Sequence, residues 1–239
     1  MRTVQAVAWK EIQIYFSSPT AYIVAMIFLA LASFFFVRDL SNPFPQASMS
    51  SFFQGATIIL ILLAPTLTMR LLAEEQKLGT IELLLTSPVR DWEVVVGKYL
   101  ASLVFLMGTI IPTVYYVILL AIFADPDPGP IWAGYLGLVL YGAAALSVGL
   151  LTSTLTNNQI IAAVVAMGIL LMLFFANLAA NIFEPSGLAA TIITEVGMQS
   201  HFEDFERGVI DTKNIAYYLL VTTFFIFVSI RALESRRWR

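Results

Sequence analysis

Charge is distributed along this sequence in clumps. Between the clumps lie long runs without a single Asp, Glu, Lys or Arg: Thr20 to Val37, Leu40 to Met69, Tyr99 to Ala124, Gly129 to Phe183 and Asn214 to Ile230. A helix needs about 20 mostly apolar residues to cross the hydrocarbon of a bilayer, so each shorter run has room for one span and the longest for two. The longest run is divided at Thr152-Ser153-Thr154-Leu155-Thr156-Asn157-Asn158-Gln159, a polar stretch that reads as a loop. The pattern predicts an all-α, polytopic membrane protein with one domain over 1–239 and six spans, near 20–37, 52–72, 99–123, 131–153, 160–182 and 214–231. Composition agrees: 59% of the chain is hydrophobic and 12% charged, against about 45–50% and about 25% in soluble domains. Disorder is excluded by the same figures. A formal charge of −3 gives no pull toward phosphate, so no nucleic-acid partner is expected. Zero cysteines exclude disulfides, Cys-ligated metal and a thiol nucleophile.

Six spans put both ends of the chain on one side. Arg2, Lys10, Arg70, Lys77, Arg90, Lys98, Arg231, Arg236, Arg237 and Arg239 fall on that side, against Arg38, Arg207 and Lys213 on the other. The excess predicts cytoplasmic termini in the cell inner membrane. The first run is longer than a signal-peptide core, and Phe34-Phe35-Phe36-Val37-Arg38 offers no cleavage site, so that span is expected to be retained.

The runs contain no ionisable group, which argues against an ion-coupled carrier or a voltage sensor. Ala145-Leu146-Ser147-Val148-Gly149 lacks the first Gly of a nucleophile elbow, and the lone histidine lies outside the spans, so no catalytic residue is assigned. Gly97-Lys98 is followed by Tyr99 and makes no Walker A loop. The cytoplasmic stretch from Arg70 to Lys98 is too short for a nucleotidase domain, which needs upward of about 50 residues. Any ATP-driven work therefore requires a separate subunit that binds ATP and Mg, with no cofactor in this chain. Ala145, Gly149 and Ser153 form a small-residue stripe, read as intrachain helix packing in preference to a dimer face. Pro65 and Pro112 should kink the second and third spans. Asn177 and Asn181 share a face of the fifth, where they line a pathway or bridge neighbouring helices.

Three segments lie outside the spans. Across residues 2–17, Val4, Val7, Ala8, Ile12 and Tyr15 fall on one helical face, with Arg2, Lys10 and Gln13 opposite, as in a helix lying in the membrane interface. Ser17-Ser18-Pro19 breaks it. Glu11 falls inside the apolar stripe and either snorkels to water or pairs with a cation at the cytoplasmic edge, Arg70 or Lys98. Residues 73–88 interleave charges with leucines; Gly79-Thr80 ends one helical turn and starts another with Thr80 as N-cap, and Ser87-Pro88 closes it. A short cytoplasmic helix exposing Ile81, Leu84 and Leu85 beside Glu82 suits docking into a partner's groove. Within 184–213, Ser200-His201-Phe202-Glu203 has capping-box spacing, Phe202, Phe205 and Val209 repeat at helical intervals, Gly208 should stop the helix, and Asp211 should cap the sixth span. His201 and Glu203 are two residues apart and Glu203 and Asp204 one, neighbours that diverge on a helix, and there is no second His, so no metal site is assigned.

At Glu74-Glu75-x-x-x-Gly79-Thr80-x-Glu82-Leu83-Leu84 followed by Ser87-Pro88, with Lys10-Glu11 and Ser18-Pro19 before the first span, the sequence resembles the permease subunits of ABC-2-type exporters, most closely the gliding-motility and nitrous-oxide-reductase-maturation branch. The resemblance implies that the N-terminal segment, with Lys10 and Glu11, is the interface helix, and Arg70 joins that site as a candidate partner of Glu11. It implies that Glu74, Glu75, Gly79, Thr80, Glu82, Leu83 and Leu84 belong to a coupling helix touching a cytoplasmic ABC ATPase subunit. It further implies that the outer helices, with His201, Phe202, Phe205 and Arg207, close the pathway. Partners would be that ATPase, a second copy or a related permease, and membrane lipid. The rival readings are a membrane anchor that transmits ATP-driven force or signal without moving a substrate, and a passive channel. Cargo is not legible in the Thr, Ser, Tyr and Asn that the spans offer.

Overall fold

The computed structural model describes residues 2–41, 48–80, 89–183 and 193–236. Helix α1 (Arg2–Ser17) is followed after Ser18 alone by α2 (Pro19–Leu40), then α3 (Ser50–Thr68), a short α4 (Ala73–Lys77) and α5 (Asp91–Ile110). A single 3₁₀ turn (Ile111–Thr113) leads into α6 (Val114–Phe123), and α7 (Pro128–Leu155), α8 (Gln159–Phe183), α9 (Met198–Glu206) and α10 (Thr212–Arg236) complete the chain. Among the described residues, six helical stretches are long and apolar enough to cross a membrane, with α5 and α6 acting as one.

Helices α3 and α7 form the centre. In each, 72% of the most apolar stretch is buried, against 11–33% in the other four spans. Helix α7 packs on α3, α5, α8, α9 and α10. The small-residue stripe does this packing within the chain: a Cβ on Gly149 would run into the Thr68 hydroxyl of α3. Phe52, Phe53, Tyr135 and Tyr116 interlock across α3, α7 and α6, with Phe53 edge-on to Tyr135 at 5.3 Å.

Several helix ends differ from the charge-free runs. Helix α5 begins at Asp91, well before Tyr99, because Glu93 Oε2 accepts from the Arg90 backbone N–H and closes the first turn. Lys98 therefore sits inside a helix and not at its start. Helix α3 stops at Thr68, short of Leu72, since the chain turns through residues 69–72 while Leu71 and Leu72 stay buried. Pro112 breaks the third span into α5, the 3₁₀ turn and α6, as expected, whereas Pro65 falls in the last turn of α3. Helix α7 starts at Pro128, where Asp127 accepts from Gly129 N–H at 2.9 Å.

The apolar stripe of α1 faces α5. Tyr15 stacks on Phe105 at 5.1 Å, and α1 meets α5 most closely at Gly97, where an added Cβ would come within 2.9 Å of Val7 and 3.1 Å of the Val4 carbonyl oxygen. Trp9 remains exposed, and Phe16, half-exposed, sets its ring edge-on to Phe105. The substitution Gly97→Val should lift α1 without unfolding the spans. The expected result is faster thiol labelling of a cysteine placed at Val4 when Gly97→Val is also present, with unchanged helical content; equal labelling with and without Gly97→Val would show that the close approach is not required.

Candidate functional site

At the end of the bundle that carries α1 and α4, ionisable side chains meet in a cleft of about 670 Å³ whose walls include Lys10, Glu11, Arg70, Glu74, Glu75 and Lys98. Its centre is Lys98, whose side chain is 2% exposed. The Nζ donates to Glu11 Oε1 at 2.7 Å and to Glu75 Oε1 at 2.8 Å. One ammonium thus ties α5 to α1 and to α4. Of the two cations at this edge, Lys98 is the partner of Glu11, and Glu11 does not snorkel: it is 7% exposed.

Arg70 does a different job. Its Nη1 donates to the hydroxyls of Ser18 and Thr20, both at 3.1 Å, and its guanidinium lies over the Tyr15 ring at 5.4 Å. It fixes the corner between α1 and α2. Tyr15 completes that corner by donating to the Leu67 carbonyl at 2.8 Å, one of the orphan carbonyls at the end of α3. Burial pushes the Tyr15 phenol above its usual range and keeps it a donor.

Helix α4 is held by groups that the sequence does not single out for this role. Ser153 Oγ accepts from the Leu72 and Ala73 backbone N–H groups and donates to the Met69 carbonyl, all at 3.1 Å. Gln76 Nε2 in turn donates to the Ser153 and Thr154 carbonyls at the end of α7. Five backbone groups left over at three helix ends are satisfied by two side chains. Ser153 is legible as a small residue, but its partners lie some 80 positions away in sequence.

Gly79 has φ +69, the left-handed conformation expected at a helix stop. The Thr80 hydroxyl, expected to cap the next helix, instead turns back and donates to the Glu75 carbonyl at 3.3 Å. Glu74 is exposed on the cleft wall. Glu82, Leu83 and Leu84, with the remainder of the expected coupling helix, lie outside the described residues.

At the opposite end, His201, Phe202 and Phe205 are buried on the inner face of α9, Phe202 against Tyr141 and Phe205 near Tyr218. Arg207 is exposed and pairs with Glu203 at 3.6 Å. The Ser200 capping box does not form, because α9 starts at Met198 and Ser200 Oγ donates to the Thr194 and Gly197 carbonyls. Gly208 stops the helix at φ +86, and Asp211 caps α10 by accepting from Lys213 N–H at 2.9 Å. His201 is bonded on both sides, to Asn214 and to the Glu195 carbonyl. Asn177 is half-buried on α8; the side chain of Asn181 lies outside the described residues.

The model of the ABC-2 type transporter family matches residues 2–184, which include α1, the α4 cluster and the first five spans. The chain belongs to the ABC-2 type transporter family. Among its relatives, the probable multidrug ABC transporter permease YbhR of Escherichia coli K12 is 31% identical over 87 residues, and its counterpart in Escherichia coli O157:H7 matches equally. That stretch is 36% of this chain and 23% of the relative. Neither match singles out the gliding-motility branch within the family.

Removing the Lys98 ammonium should leave two carboxylates facing each other in a buried site. Lys98→Met is expected to cost about 3–5 kcal/mol. Glu11→Gln should cost less, and the two losses should combine well below additively, whereas Glu11→Gln with Arg70→Gln should add. Thermal unfolding of these single and double variants in detergent checks this; additivity of the Glu11 and Lys98 losses would show that the two side chains do not interact.

Proposed function

We propose that this chain is the permease subunit of an ATP-driven exporter, that ATP and Mg are bound by a separate cytoplasmic ABC ATPase subunit, and that this subunit docks on α4 and the segment after it. The observation that carries the reading is the Lys98 cluster. A short helix at one edge of the bundle is tied through one buried ammonium both to a span and to the N-terminal helix, so a push on α4 is felt by α1 and α5 together. Such a connection serves a chain that responds to a partner; a passive channel has no use for it. Two copies, or one copy and a related permease, would enclose the pathway, with the termini and α4 in the cytoplasm and α9 on the outer face.

Exposed Leu78 and Glu74 beside the cleft provide the apolar and charged contacts that a docking partner would use. ATP-driven closure of two ATPase subunits would shift α4, and the opening of the pathway would follow if nucleotide binds the two arrangements with different affinity.

The test is co-purification from the native membrane. Gly79→Val places a β-branched side chain at φ +69 and should misdirect the chain beyond α4, and Glu82→Lys should reverse a charge at the proposed contact, costing up to a few kcal/mol where the contact is desolvated. Both variants should insert normally yet lose about tenfold or more of the co-purifying ATPase. Full retention in both would move the docking site elsewhere. Single cysteines at Gln76 and Ser48 read the orientation independently: in intact cells only the one at Ser48 should label.

A further inference from the structure

We infer that His201 is a proton-binding site that fastens α9 to α10, at the end of the bundle opposite the Lys98 cluster. The contacts around the ring need more donors than a neutral imidazole and one amide can supply. His201 Nε2 lies 3.0 Å from the Glu195 carbonyl oxygen, His201 Nδ1 lies 2.7 Å from Asn214 Oδ1, and Asn214 Nδ2 lies 2.8 Å from Asp204 Oδ2. These three contacts form a line from a backbone carbonyl to a carboxylate, and both of its ends only accept. Three hydrogen bonds need three donors. A neutral imidazole supplies one, and one end of the Asn214 amide supplies a second.

Flipping the Asn214 amide does not help. It would present Nδ2 to the ring and Oδ1 to Asp204, and the line would still lack one donor. Closing it takes one additional proton, on the imidazole or on Asp204. Imidazole is the stronger base, so the proton resides on the ring, which then donates from both nitrogens. Burial at 5% exposure opposes the charge, and it is offset by the stack on the Tyr217 ring, with centroids 4.0 Å apart, and by the Asp204 carboxylate behind the Asn214 amide.

The other charges near the ring already have partners. The Glu195 carboxylate, on the turn at 193–196, is paired with Lys213 of α10 at 2.8 Å, and the hydrogen bond from that ammonium holds its carboxyl below the usual range. Glu203 is occupied by Arg207, just past the end of α9. Asp211 accepts the Lys213 backbone N–H. Asp204 is thus the carboxylate left to offset the imidazolium, through the Asn214 amide.

The docked line of contacts needs that proton and the undocked ring does not, so undocking becomes easier as pH rises. Loss of the proton sets two acceptors face to face at one of the three contacts. This links the position of α9 to the acidity on its side of the membrane.

The chain has a single histidine. Full-length protein labelled with [¹⁵N]histidine and reconstituted in lipid nanodiscs therefore gives one pair of ring signals that need no assignment. Across a pH series, the doubly protonated ring should disappear together with the hydrogen-exchange protection of the α9 amides. Asp204→Asn supplies the missing donor without changing shape: in that variant the ring should show one bare nitrogen while α9 stays protected at every pH. A bare nitrogen in the wild-type ring while α9 remains protected would overturn the inference, as would an unchanged pH step in Asp204→Asn. If the variant fails to insert, the wild-type series alone decides.

Discussion

A lysine ammonium buried between two carboxylates on different helices is the interaction around which the rest of the molecule is arranged. An unpaired charge in such a place would cost several kcal/mol, so the fold can bury Lys98 only by bringing Glu11 and Glu75 to it. That requirement fixes the azimuth of α1 on α5 and the position of α4 against both. The close approach at Gly97 and the stacking of Tyr15 on Phe105 follow from the same placement. Arg70, in the turn just before α4, then holds the Ser18 corner.

Backbone satisfaction is the second constraint. Where α3, α4 and α7 end beside one another, their terminal N–H and C=O groups have no intrahelical partner and are screened from water. Ser153, Gln76 and Tyr15 supply the bonds. The position of α4 is thereby tied to the centre of the bundle and not merely to the chain on either side of it.

The number and order of the spans are legible in the sequence because charge is excluded from hydrocarbon, and that rule acts residue by residue along the chain. Helix ends are less legible, since they are set by bonds across the fold: α3 ends where Ser153 meets the chain beyond it, and α5 starts where Glu93 caps it. The candidate site is legible by halves. The position of Glu11 in an apolar stripe announces that it needs a cation, but Arg70 and Lys98 are equivalent in sequence, and only the early start of α5 turns Lys98 toward α1. The Ser200 spacing misleads because a Ser three residues before a Glu occurs inside helices as well as at their starts. Asn214, which joins His201 to Asp204, carries no mark at all in the sequence beyond its place at the start of a span.

Between α1 and α2 there is one residue, Ser18, and its neighbourhood is closed: its N–H bonds to the Tyr15 carbonyl, its carbonyl accepts from Ala21, and its hydroxyl is held by Arg70. A joint with no slack ties the direction of α1 to that of α2. Because only 22% of the apolar stretch of α2 is buried against the rest of the molecule, against 72% in α3 and α7, any change in the tilt of α1 would fall on a helix with little of its surface committed to that centre.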